Sequence, residues 1–379
     1  MTGSILVDHQ LEARLGSEIR TVGDPIAPAQ IQPASLDLRL GARAFRLRAG
    51  FLPGAGDLEE RVRALATSEL DLTGDGAVLE QGVVYVIPLQ EALALAPDTT
   101  ARFNPRSSTG RCDIFTRVLL PGHSRFDEAP AGFTGTPWLE VVPLSFPVRL
   151  VRGDRLCQLR LAQGSAALTA DELRAVHAET PLCFREGRPV PEDELAFHDD
   201  GSVALSLGLE GRDPVGWRAA MFTDVVDFGA EARHARDDYW QPVTTRARFG
   251  GARETVILEP GRFYIFASRE SLRVPPMLAA EMLPVDPGLG ELRNNYAGFF
   301  DNGFGWREDA DGKPEGVGTP AVLEVRAHDM PFLVEDGQVF FRLRYFRAAE
   351  RPRKLYGAGR KGASYQSQDL TLARTFVSP

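Results

Sequence analysis

Hydrophobic and polar positions in this chain alternate in short bursts and seldom follow a helical period. Ile31-Gln32-Pro33-Ala34-Ser35-Leu36-Asp37-Leu38-Arg39-Leu40-Gly41 alternates with period two, the mark of a half-buried strand. Val83-Val84-Tyr85-Val86-Ile87, Ile114 to Leu120, Trp138-Leu139-Glu140-Val141-Val142 and Val148-Arg149-Leu150-Val151 also predict strands. They recur at roughly ten-residue spacing with turn residues between them. Helical signals are few. Residues 5–16 predict a short helix with Asp8 as N-cap and Gly16 as stop. Asp57 to Thr67 predicts a second, with Leu58, Val62 and Leu65 on one side, and Thr169-Ala170-Asp171-Glu172 is a capping box opening a third. The pattern is that of an all-β sandwich or barrel with a few short helices.

The pattern also occurs twice. Residues 166–200 change character: after the short helix, Arg185 to Asp200 is polar and proline-bearing, which predicts a connector. Beyond it, Ser202-Val203-Ala204-Leu205-Ser206-Leu207-Gly208 matches Ser35 to Gly41, and Gly261-Arg262-Phe263-Tyr264-Ile265 matches Gly82 to Val86, with Glu270 answering Glu91. Ala297-Gly298-Phe299 answers Ala131-Gly132-Phe133, Leu323-Glu324-Val325 answers Leu139-Glu140-Val141, and Gly337 to Arg344 answers Gly153 to Arg160. Matches in one order indicate an internal duplication. The domains are therefore expected at 1–165 and 201–379. The copies are chemically unequal. Where the first has Ser107, Ser108 and Arg111, the second has Asp286-Pro287-Gly288-Leu289-Gly290; Asp37 becomes Ala204, Arg39 becomes Ser206 and Gln158 becomes Arg342.

Composition narrows the functional classes. With 379 residues, 43% hydrophobic and 25% charged, the chain is an ordinary globular one with room for more than one core. A net charge of −9 argues against a broad surface for nucleic-acid polymers. Cys112, Cys157 and Cys183 have no paired spacing, which fits a reducing cytoplasm, and they form no Cys-x-x-Cys; with scattered histidines, a zinc site is not expected. No basic-then-apolar leader opens the chain and no stretch is apolar enough to span a membrane, so a cytoplasmic location is expected.

Two segments carry the chemistry. Asn104-Pro105-Arg106-Ser107-Ser108-Thr109-Gly110-Arg111 offers guanidinium and hydroxyl donors in a short loop, suited to an anionic or strongly polar ligand. Glu140 is a lone charge in an apolar, β-branched strand. A carboxylate there has a cationic partner or a raised pKa, and both suit acid/base work. The same residues are also compatible with a turn bearing surface arginines and an outward-facing strand glutamate.

Taken together, Ile5-Leu6-Val7-Asp8, Gln32 to Gly41, Arg106-Ser107-Ser108-Thr109-Gly110-Arg111, Leu139-Glu140-Val141 and Gly153-Asp154-Arg155-Leu156-Cys157-Gln158-Leu159 resemble the deoxycytidine triphosphate deaminase family of the dUTPase-like superfamily. The resemblance covers most of residues 3–162. It covers the second half weakly, apart from the tail Tyr356 to Gln366, which is similar to that family's C-terminal lid. It implies two tandem dUTPase-like distorted jelly-roll or β-barrel domains, the second degenerate. The chain departs from the family in Asp127-Glu128-Ala129-Pro130-Ala131-Gly132-Phe133, which carries extra residues after the aspartate.

What the resemblance implies is hydrolytic deamination of dCTP to dUTP with release of ammonia, feeding pyrimidine deoxynucleotide synthesis. Without zinc, the carboxylate must move the protons: Glu140 would be general base and then acid, with Ser107 and Arg111 holding the water and the tetrahedral centre. Arg106, Ser108 and Gln158 are the expected phosphate and sugar contacts, Asp127 is a turn cap or a further substrate contact, and Tyr356, Lys361, Tyr365 and Gln366 are the expected lid. Mg²⁺ would arrive on the substrate triphosphate. The resemblance further implies a homo-oligomer, a trimer or a pseudo-hexameric arrangement of domains, with sites between subunits; dTTP is a possible feedback ligand. The alternatives are a dUTP diphosphatase using Asp127 to activate water, a bifunctional dCTP-to-dUMP enzyme, and a catalytically silent nucleotide-binding protein. Asp37 and Arg39 alternate on one strand and suit a structural ion pair as well as ligand contacts.

Overall fold

A computed structural model describes residues 3–245, 253–283, 292–294, 298–327, 329–358, 365–366 and 369–377. The chain forms two compact units. The first comprises residues 1–165, 221–238 and 373–379; the second comprises 166–220 and 239–372. Both are built from strands, and among the described residues no helix is long and apolar enough to cross a membrane.

In the first unit, one sheet runs Ile114–Leu119, Trp138–Pro143, Val84–Pro88, Arg43–Leu47, Ala66–Asp71. A second runs Ser4–Ile5, Cys157–Gln163, Thr99–Pro105, Glu128–Ala129, with Leu36–Leu38 also on Cys157–Gln163. Val148–Leu150 pairs with Ala77–Leu79 on one side and, in parallel, with Val226–Asp227 on the other. Phe376 packs on Phe146 with ring centroids 6.0 Å apart. The segments 221–238 and 373–379 thus complete the first unit, although they lie late in sequence.

The helix Leu58–Leu65 forms as its pattern predicts. Asp57 caps it by accepting from Glu60 N at 2.9 Å, and Leu58 and Val62 face inward. The first helix is shorter than predicted: it spans Asp8–Glu12, starts after Val7, whose N donates to Gln10 Oε1 at 3.1 Å, and follows a strand at Ser4–Ile5. Asp8 lies inside its first turn, because Ile5 is drawn into the sheet beside Ala162.

The second unit holds one large twelve-stranded sheet and a buried core that includes Leu205, Phe266, Leu323 and Leu343. The expected connector at 166–200 belongs to this unit. The capping box at Thr169 opens the helix Ala170–Glu179, and Leu168, Leu173, Leu182, Cys183, Val190 and Leu195 enter the core. A polar, proline-bearing sequence hid these inward residues.

Hydrogen bonds show the duplication at atomic level. Glu140 stands opposite Val86, and Glu324 opposite Ile265. The Tyr85 hydroxyl accepts from Glu80 N at 3.1 Å, and that of Tyr264 from Glu259 N at 2.9 Å. Gly153 N donates to Leu40 O at 2.9 Å and Gly337 N to Leu207 O at 2.8 Å. Gln158 lies opposite Asp37, and Arg342 opposite Ala204. One match needs correction. Leu159 faces Phe103 and Leu343 faces Met282; Phe103 N bonds Asp127 O and Met282 N bonds Gly298 O, each at 3.0 Å. Gly298 therefore answers Asp127, not Gly132. The residues added after Asp127 carry Ala131-Gly132-Phe133 past the strand, into a turn where Gly132 N bonds Ala96 O at 2.9 Å.

Candidate active site

Glu140 is placed by the strand Trp138–Pro143, which is hydrogen-bonded on both sides. Period-two alternation puts it on the face shared with Trp138, Val86 and Leu119, which form an apolar cluster under the helix Leu58–Leu65. The side chain is buried at 4% exposure, and its Oε2 has no hydrogen-bond partner among the described residues. Burial pushes the carboxyl above the usual carboxylate range, and the Arg117 guanidinium, on the residue directly opposite in the neighbouring strand, draws it back. A carboxyl so balanced changes its protonation easily, the property a proton shuttle needs.

Gly50 covers this carboxyl. A Cβ built there would come within 2.5 Å of Glu140 Oε2 and 3.3 Å of its Cδ. Gly50 is itself exposed. Gly50→Ala is accordingly expected to displace the carboxyl and lower turnover by about tenfold, with little change in melting temperature. Paired rate and thermal-melt measurements check this.

The donor loop folds as a single helical turn, Ser107–Gly110, with Arg106 as N-cap; Ser108, Thr109 and Arg111 are buried. Thr109 Oγ1 donates to Leu156 O at 2.7 Å and so fastens the turn to the strand after Gly153. Register sets Ile114 opposite Pro143, three positions from the Arg117–Glu140 pair. At about 3.3 Å per residue that is roughly 10 Å along the sheet. Within one chain Glu140 therefore lies opposite Arg117 and beneath Gly50, while the strand that follows the Ser107–Arg111 turn enters the sheet three positions away.

Several expected ligand contacts are engaged within the protein. Arg106 Nε pairs with Asp37 Oδ1 at 3.0 Å, and its Nη1 donates to Arg155 O at 3.1 Å. Arg155 also reaches Asp37 Oδ2, at 3.3 Å. Gln158 accepts from Ser35 Oγ at 3.2 Å and donates to Pro105 O at 3.3 Å. Asp37 and Arg39 are both structural but do not pair with each other: Arg39 Nε meets Glu91 Oε1 at 2.7 Å.

The described residues of the tail are held by hydrogen bonds. Tyr356 N donates to Asn302 O at 2.8 Å, and the Tyr356 hydroxyl accepts from Tyr365 N at 3.4 Å. Gln366 Nε2 donates to the carbonyls of Gly303 and Trp306, both at 2.9 Å. These residues anchor the segment to the second unit. Lys361, and the Asp286 to Gly290 stretch of the second copy, lie outside the described residues.

Asp127 has the most perturbed carboxylate of the set. It occupies a left-handed backbone conformation with φ of 61°, which aspartate tolerates. Its Oδ1 accepts from Val118 N at 2.7 Å, and its own N donates to Val118 O at 3.1 Å. Burial pushes its pKa up to about 7, against the Val118 hydrogen bond and the guanidinium groups of Arg117 and Arg102; Glu128 acts in the same direction as burial. Sequence reading singled out Asp127 but passed over Arg117 and Gly50. The phenylalanines at 115 and 126 around Arg117 were the available signal.

Two all-β units, with a buried glutamate on one strand of the first and a serine–arginine turn before another, are what the comparisons have to account for. Residues 2–165 match the N-terminal domain, and residues 169–376 the C-terminal domain, of 2'-deoxycytidine 5'-triphosphate deaminase, and the chain belongs to that family. Its relatives include the "dCTP deaminase, dUMP-forming" of Acidothermus cellulolyticus, 31% identical over 43% of this chain and 81% of the relative. That of Beutenbergia cavernae is 32% identical over 41% of this chain and 77% of the relative. The crystal structure of 2'-deoxycytidine 5'-triphosphate deaminase from Agrobacterium tumefaciens aligns over 93% of this chain and all of its own, at 42% identity and a TM-score of 0.80.

Proposed function

We propose that the protein hydrolytically removes the 4-amino group of dCTP, and that it carries the product on to dUMP by releasing pyrophosphate. The observation that carries the first step is Glu140: a buried carboxyl with an unpartnered oxygen, raised pKa and a cation opposite. In this reading Glu140 takes a proton from water as the oxygen adds to C4. It delivers that proton to N3, then takes the hydroxyl proton of the tetrahedral centre and passes it to the amino nitrogen, so that the C4 carbonyl forms as the C4–N bond breaks and ammonia leaves. Ser107 and Arg111 hold the water and the tetrahedral centre; they meet Glu140 from a second copy of the chain, which suits their separation along the sheet. The triphosphate brings its Mg²⁺ with it, and the enzyme works as a cytoplasmic homo-oligomer.

The end product is where this reading departs from the expectation of dUTP. The relatives named above are dUMP-forming, and Asp127, whose carboxyl pKa burial pushes up to about 7, is suited to activating the second water. An ionised Asp127 is then required, so pyrophosphate release should fall about tenfold from pH 8 to pH 6 as the carboxyl protonates through a pKa near 7. Asp127→Asn should stop the reaction at dUTP.

Offering dCTP, dUTP and CTP separately, and following ammonia, dUTP and pyrophosphate, tests the proposal. Ammonia and pyrophosphate from dCTP in equal amounts support it. Ammonia with accumulating dUTP would restore dUTP as end product. Binding of dCTP without any turnover would make the protein a silent nucleotide binder.

A further inference from the structure

Arg117 is held by aromatic faces. Its guanidinium carbon lies 4.5 Å from the Phe115 ring centroid and 4.7 Å from that of Phe126. The residue directly across the sheet from it is Glu140. Its successor Val118 exchanges hydrogen bonds with Asp127, the residue after Phe126. The charge of this one cation therefore acts on both acidic side chains that the proposed reactions use.

Other nearby charges have partners of their own, although Arg102 and Glu128 also act on Asp127, in opposite directions. Arg102 pairs with Glu128 at 3.4 Å, and Arg125 with the same Glu128 at 3.0 Å. On the helix over the Glu140 face, Arg63 pairs with Glu59 at 2.6 Å and Arg61 donates to Pro53 O at 3.0 Å. Arg46, on the strand after Val84–Pro88, reaches Glu80 at 3.3 Å. A guanidinium clamped by two rings keeps its charge and its position when either carboxylate gains or loses a proton, whereas a salt-bridged one would lose its partner.

We propose that Arg117 is a positioning cation shared by Glu140 and Asp127, holding both carboxyls in the ionised state from which each accepts a proton from water. It touches neither reacting atom in this scheme; it acts through the two acids. The proposal rests on the deaminase reading for its kinetic consequence, but not for its electrostatic one.

The sign follows from the charge. An adjacent cation favours a carboxylate, so removing it moves the acid titration to higher pH. Activity that needs the ionised form is then lost most at low pH and recovered at high pH. For Arg117→Gln, ammonia release from dCTP should fall about tenfold at pH 6 and approach wild type by pH 9, with KM within about twofold. Arg117→Lys should restore most of the rate. Carboxyl-¹³C NMR titration of the intact protein, labelled at Asp and Glu, reads the same effect without turnover: both Glu140 and Asp127 should titrate higher in Arg117→Gln. If Arg117→Gln does not fold, Phe126→Leu loosens one side of the clamp and should move both titrations in the same direction, by less. Unmoved carboxyl titrations, or a rate loss equal at every pH, overturn the proposal. A wild-type protein inert toward dCTP would refute the deaminase reading alone, leaving the NMR comparison to decide the role of Arg117.

Discussion

Glu140→Gln is expected to lower ammonia release from dCTP by roughly 10²–10⁴-fold while leaving dCTP affinity within about threefold of wild type. The substitution keeps the shape and burial of the side chain and removes only its ability to exchange a proton. Glu140 lies on an apolar face beside Trp138 and Val86, so it is not expected to contribute to phosphate binding. Steady-state rates together with isothermal titration of dCTP measure both halves of the statement. Glu324→Gln is the control. It alters the corresponding position opposite Ile265, in a copy that has Gly298 where the first has Asp127, and should leave turnover within about twofold. Equal loss in both variants would mean that the second copy completes the site.

The second large effect concerns stability. Glu91 is fully buried and accepts from Arg39 N at 2.8 Å, Arg39 Nε at 2.7 Å and Gln30 Nε2 at 3.1 Å. Glu91→Ala would leave a largely buried guanidinium without its carboxylate, at a cost of about 3–5 kcal/mol. The corresponding Glu270 accepts from Ser206 N and Ser206 Oγ, both at 2.8 Å, and pairs with the more exposed Arg185 at 3.3 Å. Because Ser206 is neutral, Glu270→Ala should cost less, about 1–3 kcal/mol. Calorimetric melting of both variants checks the order as well as the sizes.

The match of Glu91 with Glu270 was legible in sequence because each follows a glycine-led apolar strand at the same interval, and the structure gives both the same backbone partner. The Glu140 strand was legible for a similar reason: a single charge among β-branched residues stands out from a period-two pattern. Three features were not. The three-residue word Ala-Gly-Phe is too short to fix a register, so hydrogen bonding moved its match from Gly132 to Asp127. Arg106 and Gln158 read as ligand donors because a sequence shows donors without their acceptors; Asp37, Ser35 and Pro105 supply internal partners. Arg117 was passed over because its importance lies in what stands across the sheet.

The chain crosses from one unit to the other at 165/166, 220/221, 238/239 and 372/373. A tandem duplication in its simplest form gives modules that fission could separate again. Here a fragment ending at residue 165 would bare the edge of Val148–Leu150 that Val226 and Asp227 occupy, and would leave Phe146 without Phe376. A stand-alone first unit would have to resurface that edge, because it is assembled from three stretches of the chain rather than one.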